Sequence, residues 1–241
     1  MDKLFVIFPF EIDFYKKFNY SVTFEGNPLI DSVSDFKLNN KETFSKFSKR
    51  NELSEKPILA LLAGSRRQEI ELCLPYMIEA TKDFNNYQIV VAGAPSIEPS
   101  FYSKYISEKN VKIVYGQTYS LLNFASLAVV TSGTATLETA LFKVPQVVIY
   151  KTQPITFVIG RSIVWIKYFS LVNIIVNRLV VKELLQFGLI DGMKKELKLI
   201  VENDAYRTKM IDSYNEIEAM LGKPGVSERA AKTIVESLKA Y

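Results

Sequence analysis

The stretch Leu127-Ala128-Val129-Val130-Thr131-Ser132-Gly133-Thr134-Ala135-Thr136-Leu137-Glu138 decides the fold, because an apolar strand-like run turns directly into a helix-like run. The helical pattern continues to Phe142. A helix that begins just after a strand presents free backbone N–H groups and the positive end of its dipole. That local architecture binds phosphate groups. Glu138 lies one turn into the helix, where its carboxylate can accept hydrogen bonds from the hydroxyls of a sugar.

The small side chains of the turn suit the same kind of ligand. Gly133 lets a ligand approach the backbone closely. Hydroxyl groups are supplied by Ser132, Thr134 and Thr136. An ordinary strand-to-helix corner, with a capping Ser or Thr and a first-turn Glu, is the alternative interpretation. The stretch taken alone leaves both interpretations open.

Similar strand-to-helix steps surround this stretch. The predicted strands are short continuous apolar runs, which are typical of parallel strands covered by helices on both faces. We predict strands at residues 57–62, 87–92, 111–115, 127–130 and 146–150, and helices at 67–84, 99–107, 119–125, 136–142 and 155–166. These five consecutive strand–helix units predict an α/β fold with a doubly wound, parallel, Rossmann-like sheet.

Different patterns flank the alternating region. Before it we predict strands at residues 4–8 and 21–24, a helix at 11–18 between them, and a polar connecting segment at 31–55. After it we predict a helical tail, with helices at residues 180–187, 193–202, 206–221 and 227–239.

The amino-acid composition limits the catalytic mechanisms and the partners that are possible for this chain. The 241 residues include no histidine, which excludes Ser-His-Asp and Cys-His catalysis within this chain and leaves carboxylates as the usual general bases. The single cysteine, Cys73, cannot form an internal disulfide, and we predict a buried structural thiol in a reducing compartment. The net charge of +4 is spread along the chain, so no nucleic-acid partner is expected.

Three polar loops follow predicted strands and should meet at one edge of the sheet. They cover residues 63–69, 93–96 and 132–134. In the first loop Gly64 and Ser65 can form the turn, and Arg66 or Arg67 can grip a phosphate through a planar guanidinium. The chain has neither the dinucleotide-binding fingerprint nor a Walker A motif. The three loops therefore predict a nucleotide site that is not for NAD and not an NTPase site.

Several stretches together resemble lipid-A-disaccharide synthase, and the similarity runs from end to end of the chain. The matching stretches are Phe8-Pro9-Phe10-Glu11, Leu61-Leu62-Ala63-Gly64-Ser65-Arg66, Ala92-Gly93-Ala94-Pro95, the Thr131–Glu138 run, Lys167-Tyr168-Phe169-Ser170-Leu171-Val172-Asn173 and Val181-Lys182-Glu183-Leu184-Leu185-Gln186. Two positions depart from the family pattern: Asn27 stands where the family usually has His, and Ala63 where it usually has Pro.

The resemblance implies an inverting glycosyltransferase of the GT-B type, with two Rossmann domains and no cofactor or metal. Such an enzyme transfers 2,3-diacylglucosamine from its UDP-sugar to 2,3-diacylglucosamine 1-phosphate, which gives lipid A disaccharide 1-phosphate and UDP. The resemblance further implies that this chain is the donor-binding part. Residues 1–50 would be a remnant of the amino-terminal Rossmann domain with a linker, 51–176 the UDP-sugar-binding domain, and 177–241 a helical segment. The catalytic base is expected upstream of Met1, on an amino-terminal half supplied in cis or in trans.

The resemblance also assigns UDP-sugar binding to a set of residues. Arg66 and the backbone around Gly133 would hold the diphosphate, and Glu138 the ribose. A segment folding back over the site would add further polar groups, for which an exposed helix face with ordinary ion pairs is the alternative. The full set is Gly64, Ser65, Arg66, Gly93, Ala94, Ser132, Gly133, Thr134, Thr136, Glu138, Asn173, Lys182, Glu183 and Gln186.

Because the implied substrates are lipids, we expect a cytoplasmic protein that binds peripherally to the cytoplasmic face of the inner membrane. The resemblance is also compatible with a homodimer. An aromatic and basic cluster could dock at that membrane face, with packing in the core as the alternative. It comprises Phe157, Arg161, Trp165, Lys167, Tyr168 and Phe169. Two other functions compete: another UDP-sugar enzyme of this fold, such as UDP-N-acetylglucosamine 2-epimerase, and a catalytically silent nucleotide-binding module. The 170–173 and 181–186 stretches argue against the epimerase.

Overall fold

The computed structural model describes residues 3–106, 111–153 and 167–239. By compactness the chain divides into two units. The smaller unit consists of Met1–Asn40 and Ser213–Tyr241, and the larger unit of Lys41–Asp212. The alternating strand–helix region of the sequence lies in the larger unit.

The strands and helices are numbered in chain order within the described residues. The strands are β1 (Phe5–Val6), β2 (Thr23–Phe24), β3 (Ile58–Leu62), β4 (Gln88–Gly93), β5 (Val111–Tyr115), β6 (Ala125–Thr131), β7 (Gln146–Tyr150) and β8 (Glu183–Leu185). The helices are α1 (Phe10–Lys16), α2 (Leu29–Asn39), α3 (Phe44–Arg50), α4 (Arg67–Thr81), α5 (Pro99–Tyr102), α6 (Thr118–Phe124), α7 (Thr134–Leu141), α8 (Leu171–Val176), α9 (Leu189–Glu202), α10 (Asp204–Leu221) and α11 (Val226–Lys239).

In the described part of the larger unit, six strands form a central sheet in the order β5-β4-β3-β6-β7-β8. Every neighbouring pair of strands is parallel. This is the strand order of a doubly wound Rossmann sheet, in which the direction of strand addition reverses between β3 and β6. The fold class predicted from the sequence is confirmed.

The strands are apolar throughout because the sheet is covered. All five residues of β3 are buried, and β6 is buried from Leu127 onward. Helix α6 packs against β3, β4 and β5, and α7 against β6 and β7. Helices α4 and α9 pack against each other. Cys73 of α4 is buried, as predicted, and this burial raises the pKa of its thiol.

The predicted connecting segment at residues 31–55 is wrong, because two helices, α2 and α3, occupy most of it. Ile30 and Val33 form a buried stripe along α2, and Phe47 of α3 is fully buried. Most of the other residues of both helices are polar. A few apolar residues at helical spacing are enough to anchor a short surface helix, and the polar majority hid that spacing.

The predicted helix at residues 180–187 is also wrong, because this segment contains β8, which pairs with the edge of the sheet at β7. A short apolar run fits a strand as well as a helix, and only its neighbours in space decide between them. Gln186 and Gly188 both have positive φ and end the strand. The helix predicted at 99–107 is shorter, ending at Tyr102. The helix predicted at 155–166 lies outside the described residues.

In the smaller unit β1 and β2 form a parallel pair, and Asn27 follows β2. Asn27 is buried, and its amide Nδ2 donates a hydrogen bond to the carbonyl of Ile7 at 2.9 Å. Its Oδ1 accepts one from the backbone N–H of Leu29 at 3.0 Å, and its own backbone N–H donates to the carbonyl of Leu221. The residue that departs from the family pattern therefore joins the two ends of the chain within this unit.

Asp31 of α2 caps the first turn of α11. Its Oδ1 accepts hydrogen bonds from the backbone N–H groups of Gly225 at 2.7 Å and Val226 at 3.0 Å, and its Oδ2 from Ser227 at 2.8 Å. Burial alone would raise the pKa of Asp31, but these hydrogen bonds outweigh it and hold the pKa below its usual value. An ionised carboxylate at a helix N-terminus is also favoured by the helix dipole.

We expect Asp31→Ala to lower the free energy of unfolding by about 1–2 kcal/mol, the usual cost of losing a helix cap. Urea denaturation at pH 7 measures this. Because folding lowers the pKa, the stabilisation is complete above the ordinary carboxyl pKa and is lost as the pH falls through the folded-state pKa. Asp35→Ala, at an exposed position one turn along α2, is the control. Equal losses for the two variants would contradict the capping role.

Candidate functional site

A cleft of about 430 Å³ opens at the carboxyl ends of β3, β4 and β6 in the larger unit. The three polar loops predicted from the sequence meet there. The lining residues are Leu62, Gly64, Ser65, Arg66, Glu69, Ala92, Ala94, Pro95, Thr118, Thr131, Ser132, Gly133, Thr134, Ala135 and Glu138. The cleft lies at the point where the strand order reverses, which is where ligands bind in open α/β sheets.

The first loop is organised by Glu69, which sequence reasoning did not single out. Its Oε2 accepts hydrogen bonds from the backbone N–H groups of Ser65 at 3.0 Å and Arg66 at 3.3 Å. Its Oε1 accepts one from Arg66 Nη1 at 2.8 Å. A Cβ atom at Gly64 would collide with this carboxylate, and the φ of +105° at Gly64 also favours glycine. The signal for Glu69 was its place three residues after the N-cap of α4.

The guanidinium of Arg66 stays available to a ligand. Its side chain is 80% exposed and lines the cleft. A guanidinium carries five N–H donors, so the bond to Glu69 leaves donors over. Arg67 differs, because its guanidinium lies 5.4 Å from the ring centre of Phe101 and Arg67 is absent from the lining residues. Of the two candidate arginines, the structure brings Arg66 to the cleft.

The second loop contributes to the shape of the cleft wall. The backbone N–H of Ala94 donates a hydrogen bond to the hydroxyl of Tyr102 at 2.8 Å, so it is not free for a ligand. Tyr102 is buried, and this burial raises the pKa of its hydroxyl. Gly93 is packed so closely against Tyr115 that any Cβ atom would collide with its ring. Gly93 itself is not among the lining residues, so its place is behind the wall of the cleft.

The third loop supplies backbone N–H groups that can donate hydrogen bonds to a ligand. Among the described residues the backbone N–H groups of Gly133, Thr134 and Ala135 donate no hydrogen bond. Space beside Gly133 is open, since a Cβ atom there would meet nothing within 4 Å. Thr136 is buried, and its hydroxyl donates to the carbonyl of Gly133 at 2.8 Å, which fixes the turn. The start of α7 therefore presents a row of N–H groups to the cleft.

The hydroxyl of Ser132 is engaged within the protein. It donates a hydrogen bond to the carbonyl of Phe169 at 2.8 Å, and the backbone N–H of Ser132 donates to the carbonyl of Ile149. The third loop is thereby attached to the segment that leads into α8.

Glu138 lines the same cleft from within α7. Its Oε1 accepts a hydrogen bond from the hydroxyl of Tyr119 at 3.0 Å. Burial raises the pKa of Glu138, while the Tyr119 bond acts in the opposite direction. Burial and the neighbouring carboxylate likewise raise the pKa of Tyr119. Tyr119 and the lining residue Thr118 follow β5, whose loop carries no charged residue to draw attention in the sequence.

Asn173 lies outside the residues that line the cleft and is completely buried. Its Oδ1 accepts hydrogen bonds from the backbone N–H groups of Val180 and Val181, at 2.8 and 3.0 Å. Its Nδ2 donates to the carbonyl of Val181 at 2.9 Å and to Glu183 Oε1 at 2.8 Å. The Oδ1 and Nδ2 atoms of Asn173 are therefore both used to hold the segment that runs from α8 to β8.

Glu183 and Gln186 also bind the protein itself. Glu183 accepts hydrogen bonds from the backbone N–H groups of Phe169 at 2.9 Å and Ser170 at 2.8 Å, and from the Ser170 hydroxyl at 2.8 Å. Gln186 exchanges two hydrogen bonds with the backbone of Thr152, at 3.2 and 3.0 Å. Lys182 has an exposed side chain. None of these three residues is among those that line the cleft.

The aromatic and basic cluster is described only in part, because Phe157, Arg161 and Trp165 lie outside the described residues. The ring of Phe169 stacks on Tyr150, with ring centres 5.7 Å apart. Lys167 Nζ lies 5.0 Å from the ring centre of Tyr168. Across residues 3–106, 111–153 and 167–239, no helix has the length and apolar character needed to cross a membrane.

Comparison with known proteins gives a family match along nearly the whole chain. The family model described as lipid-A-disaccharide synthetase matches residues 1–236. The lipid-A-disaccharide synthase of Myxococcus xanthus is 34% identical over 246 residues, which cover 99% of this chain and 63% of that protein. The chain thus spans less than two thirds of the length of this relative.

Solved structures share the fold at low sequence identity. The Staphylococcus aureus MnaA structure with UDP superposes with a TM-score of 0.66 and 13% identity, over 100% of this chain and 60% of that one. WaaG, a glycosyltransferase involved in lipopolysaccharide biosynthesis, gives a TM-score of 0.57 and 14% identity, over 96% of this chain and 62% of that one. These likenesses establish the fold.

We expect Glu138→Gln to raise the free energy of unfolding at pH 7, by about 1 kcal/mol, because folding buries a charge that is only partly compensated. A pKa raised by folding means that stability falls as the pH rises above the ordinary carboxyl pKa. The advantage of Gln should disappear below about pH 4, where the unfolded carboxylate is also protonated. Urea denaturation at both pH values measures it, with the exposed Glu55→Gln as control. A destabilised Glu138→Gln at pH 7 would contradict this expectation.

Proposed function

The chain belongs to the lipid-A-disaccharide synthetase family, and from this membership we propose that its cleft binds UDP-2,3-diacylglucosamine as a sugar donor. The sugar is transferred to 2,3-diacylglucosamine 1-phosphate, and the products are the disaccharide 1-phosphate of lipid A and UDP. The chain spans 63% of the length of the Myxococcus xanthus relative. The complete transfer reaction is therefore proposed for this chain together with the remaining part of such an enzyme. Both substrates are lipids, so the reaction takes place at the cytoplasmic face of the inner membrane.

One observation carries the proposal: open N–H groups at the start of α7 share a cleft with the exposed guanidinium of Arg66. A departing UDP carries its negative charge on the diphosphate. Aligned N–H groups at a helix N-terminus and a planar guanidinium both stabilise such a charge, and neither needs a metal ion. Donors fixed before the reaction cost little reorganisation as the charge develops.

Glu138 suits the ribose of the same ligand. Its carboxylate lies in the cleft beside the phosphate-binding backbone, and its Oε2 accepts no hydrogen bond from any described residue. A carboxylate is an acceptor only, and adjacent ribose hydroxyls are donors that match it. A hydrogen bond to a charged group contributes about 1.5–3 kcal/mol.

The remaining predicted site residues have supporting places in this proposal. Gly64, Ser65 and Ala94 line the cleft, and Gly93 allows the close packing of Tyr115 behind it. Asn173, Glu183 and Gln186 fix the chain segments that lead into α8 and out of β8. The carbonyl of Phe169, in the first of these segments, accepts the hydrogen bond from Ser132 that holds the third loop. Lys182 is the exception, because it is exposed and is not among the lining residues of the cleft.

The base that activates the acceptor hydroxyl is assigned by the family resemblance to the amino-terminal half of the enzyme. The share proposed for this chain is to hold the donor and to stabilise UDP as it leaves. Correct placement of two bound reactants can contribute about 7–11 kcal/mol to lowering the barrier, so a whole enzyme depends on both halves.

A chimaera tests the proposed reaction. In this chimaera the 241-residue chain replaces the matching segment of the Myxococcus xanthus relative. The purified chimaera is then supplied with both lipid substrates. We expect release of UDP and formation of the disaccharide 1-phosphate, measured by mass spectrometry. The intact relative is the positive control. A folded chimaera that binds UDP but forms no disaccharide would contradict the proposed transfer, and conversion of UDP-N-acetylglucosamine to its 2-epimer would favour the epimerase instead.

We expect Arg66→Ala to weaken binding of UDP to the 241-residue chain by about 10- to 150-fold, the equivalent of a lost charged hydrogen bond. Uridine should be affected much less, because it lacks the diphosphate. Calorimetric titration without added magnesium measures both ligands. Arg207→Ala is the matched control, since Arg207 pairs with Asp204 at the same spacing along a helix. Equal losses for UDP and uridine would place Arg66 away from the phosphates.

A further inference from the structure

The side chains of Tyr119 and Glu138 form a half-buried pair in the cleft. Tyr119 belongs to α6, after β5, and Glu138 to α7, after β6. The Tyr119 hydroxyl lies 3.0 Å from Glu138 Oε1 and donates to it. Among the described residues it is the only group that donates a hydrogen bond to this carboxylate.

The ring of Tyr119 is held in place by packing. It lies against the ring of Phe142, with ring centres 5.2 Å apart and planes inclined by 55°. Phe142 immediately follows α7 and is buried. The same helix end therefore supports the tyrosine ring, and the same helix carries the glutamate that the hydroxyl binds.

This arrangement leaves the two carboxylate oxygens in different roles. Oε1 is occupied by Tyr119, whereas Oε2 accepts no hydrogen bond from any described residue although Glu138 lines the cleft. The unoccupied oxygen of a carboxylate that lines a cleft can accept hydrogen bonds from a ligand bound there. A ligand with neighbouring hydroxyl groups carries donors that match this oxygen.

We propose that Tyr119 is a positioning residue of a ribose subsite, which holds Glu138 by one oxygen so that the other meets the vicinal hydroxyls of a nucleoside diphosphate. This inference rests on the proposed function of the same cleft. Tyr119 does not touch the ligand in this role. Its contribution passes through Glu138 and depends on the ribose hydroxyls.

The test compares UDP with 2′,3′-dideoxy-UDP, which keeps the base and the diphosphate. Both are titrated calorimetrically into the 241-residue chain as wild type, Tyr119→Phe, Glu138→Gln and the double variant. Phe keeps the packing against Phe142 and removes only the hydroxyl. Tyr206→Phe is the matched control, because the Tyr206 hydroxyl donates to Glu196 in a second half-buried pair at 2.5 Å, and neither residue lines the cleft.

We expect Tyr119→Phe to weaken UDP by about three- to tenfold, the scale of one net hydrogen bond, and to leave dideoxy-UDP within about twofold. In the Glu138→Gln background the same change should add nothing further. Tyr206→Phe should leave both ligands unaffected. A general structural role of Tyr119 would instead weaken both ligands equally.

Three results would overturn the inference in distinguishable ways. Unchanged or equal effects of Tyr119→Phe on the two ligands would remove the positioning role while the proposed function stands. Equal affinity of the wild type for UDP and dideoxy-UDP would remove the ribose assignment while diphosphate binding stands. A folded wild type that binds neither ligand would overturn the proposed function, and the inference with it.

Discussion

The site depends on one topological constraint, the direct parallel pairing of β3 with β6 at the centre of the sheet. Strands are added to one side of this pair as far as β5, and to the other side as far as β8. In a doubly wound sheet the loops that follow such a central pair diverge, and a crevice remains between them. The loops at Gly64 and Gly133 follow these two strands, so the strand order itself creates the space in which their polar groups meet.

The same constraint explains why much of the fold was predictable from the sequence. Parallel strands buried on both faces are short, continuous apolar runs, and such runs are easily recognised. Edge and surface elements lack this signature. Within the described residues β8 pairs only with β7, and helices α2 and α3 bury only a few residues. The sequence therefore predicted a helix in place of β8 and a connecting segment in place of α2 and α3.

The candidate site was predictable where a residue's role follows from local chain geometry. Gly64 and Gly133 stand at turns, and Glu138 lies about one turn into α7, so their neighbours along the chain reveal them. Tyr119 is different, because it meets Glu138 across 19 positions of sequence. Glu69 belongs to the first predicted loop, but the sequence does not show that its carboxylate accepts hydrogen bonds from the backbone of that loop. Contacts between side chains that are distant in sequence leave no local sequence pattern from which they could be predicted.

The first and third loops of the cleft differ in how their backbone N–H groups are occupied. In the first loop the N–H groups of Ser65 and Arg66 are already satisfied by Glu69, a negative charge that an approaching diphosphate would meet. In the third loop the N–H groups that begin α7 have no acceptor among the described residues. An anion is favoured where donors are unpaired and the helix dipole is positive. In the proposed complex a diphosphate would therefore be held mainly by the start of α7 and by the free donors of Arg66, while Glu69 holds the backbone of the first loop in place.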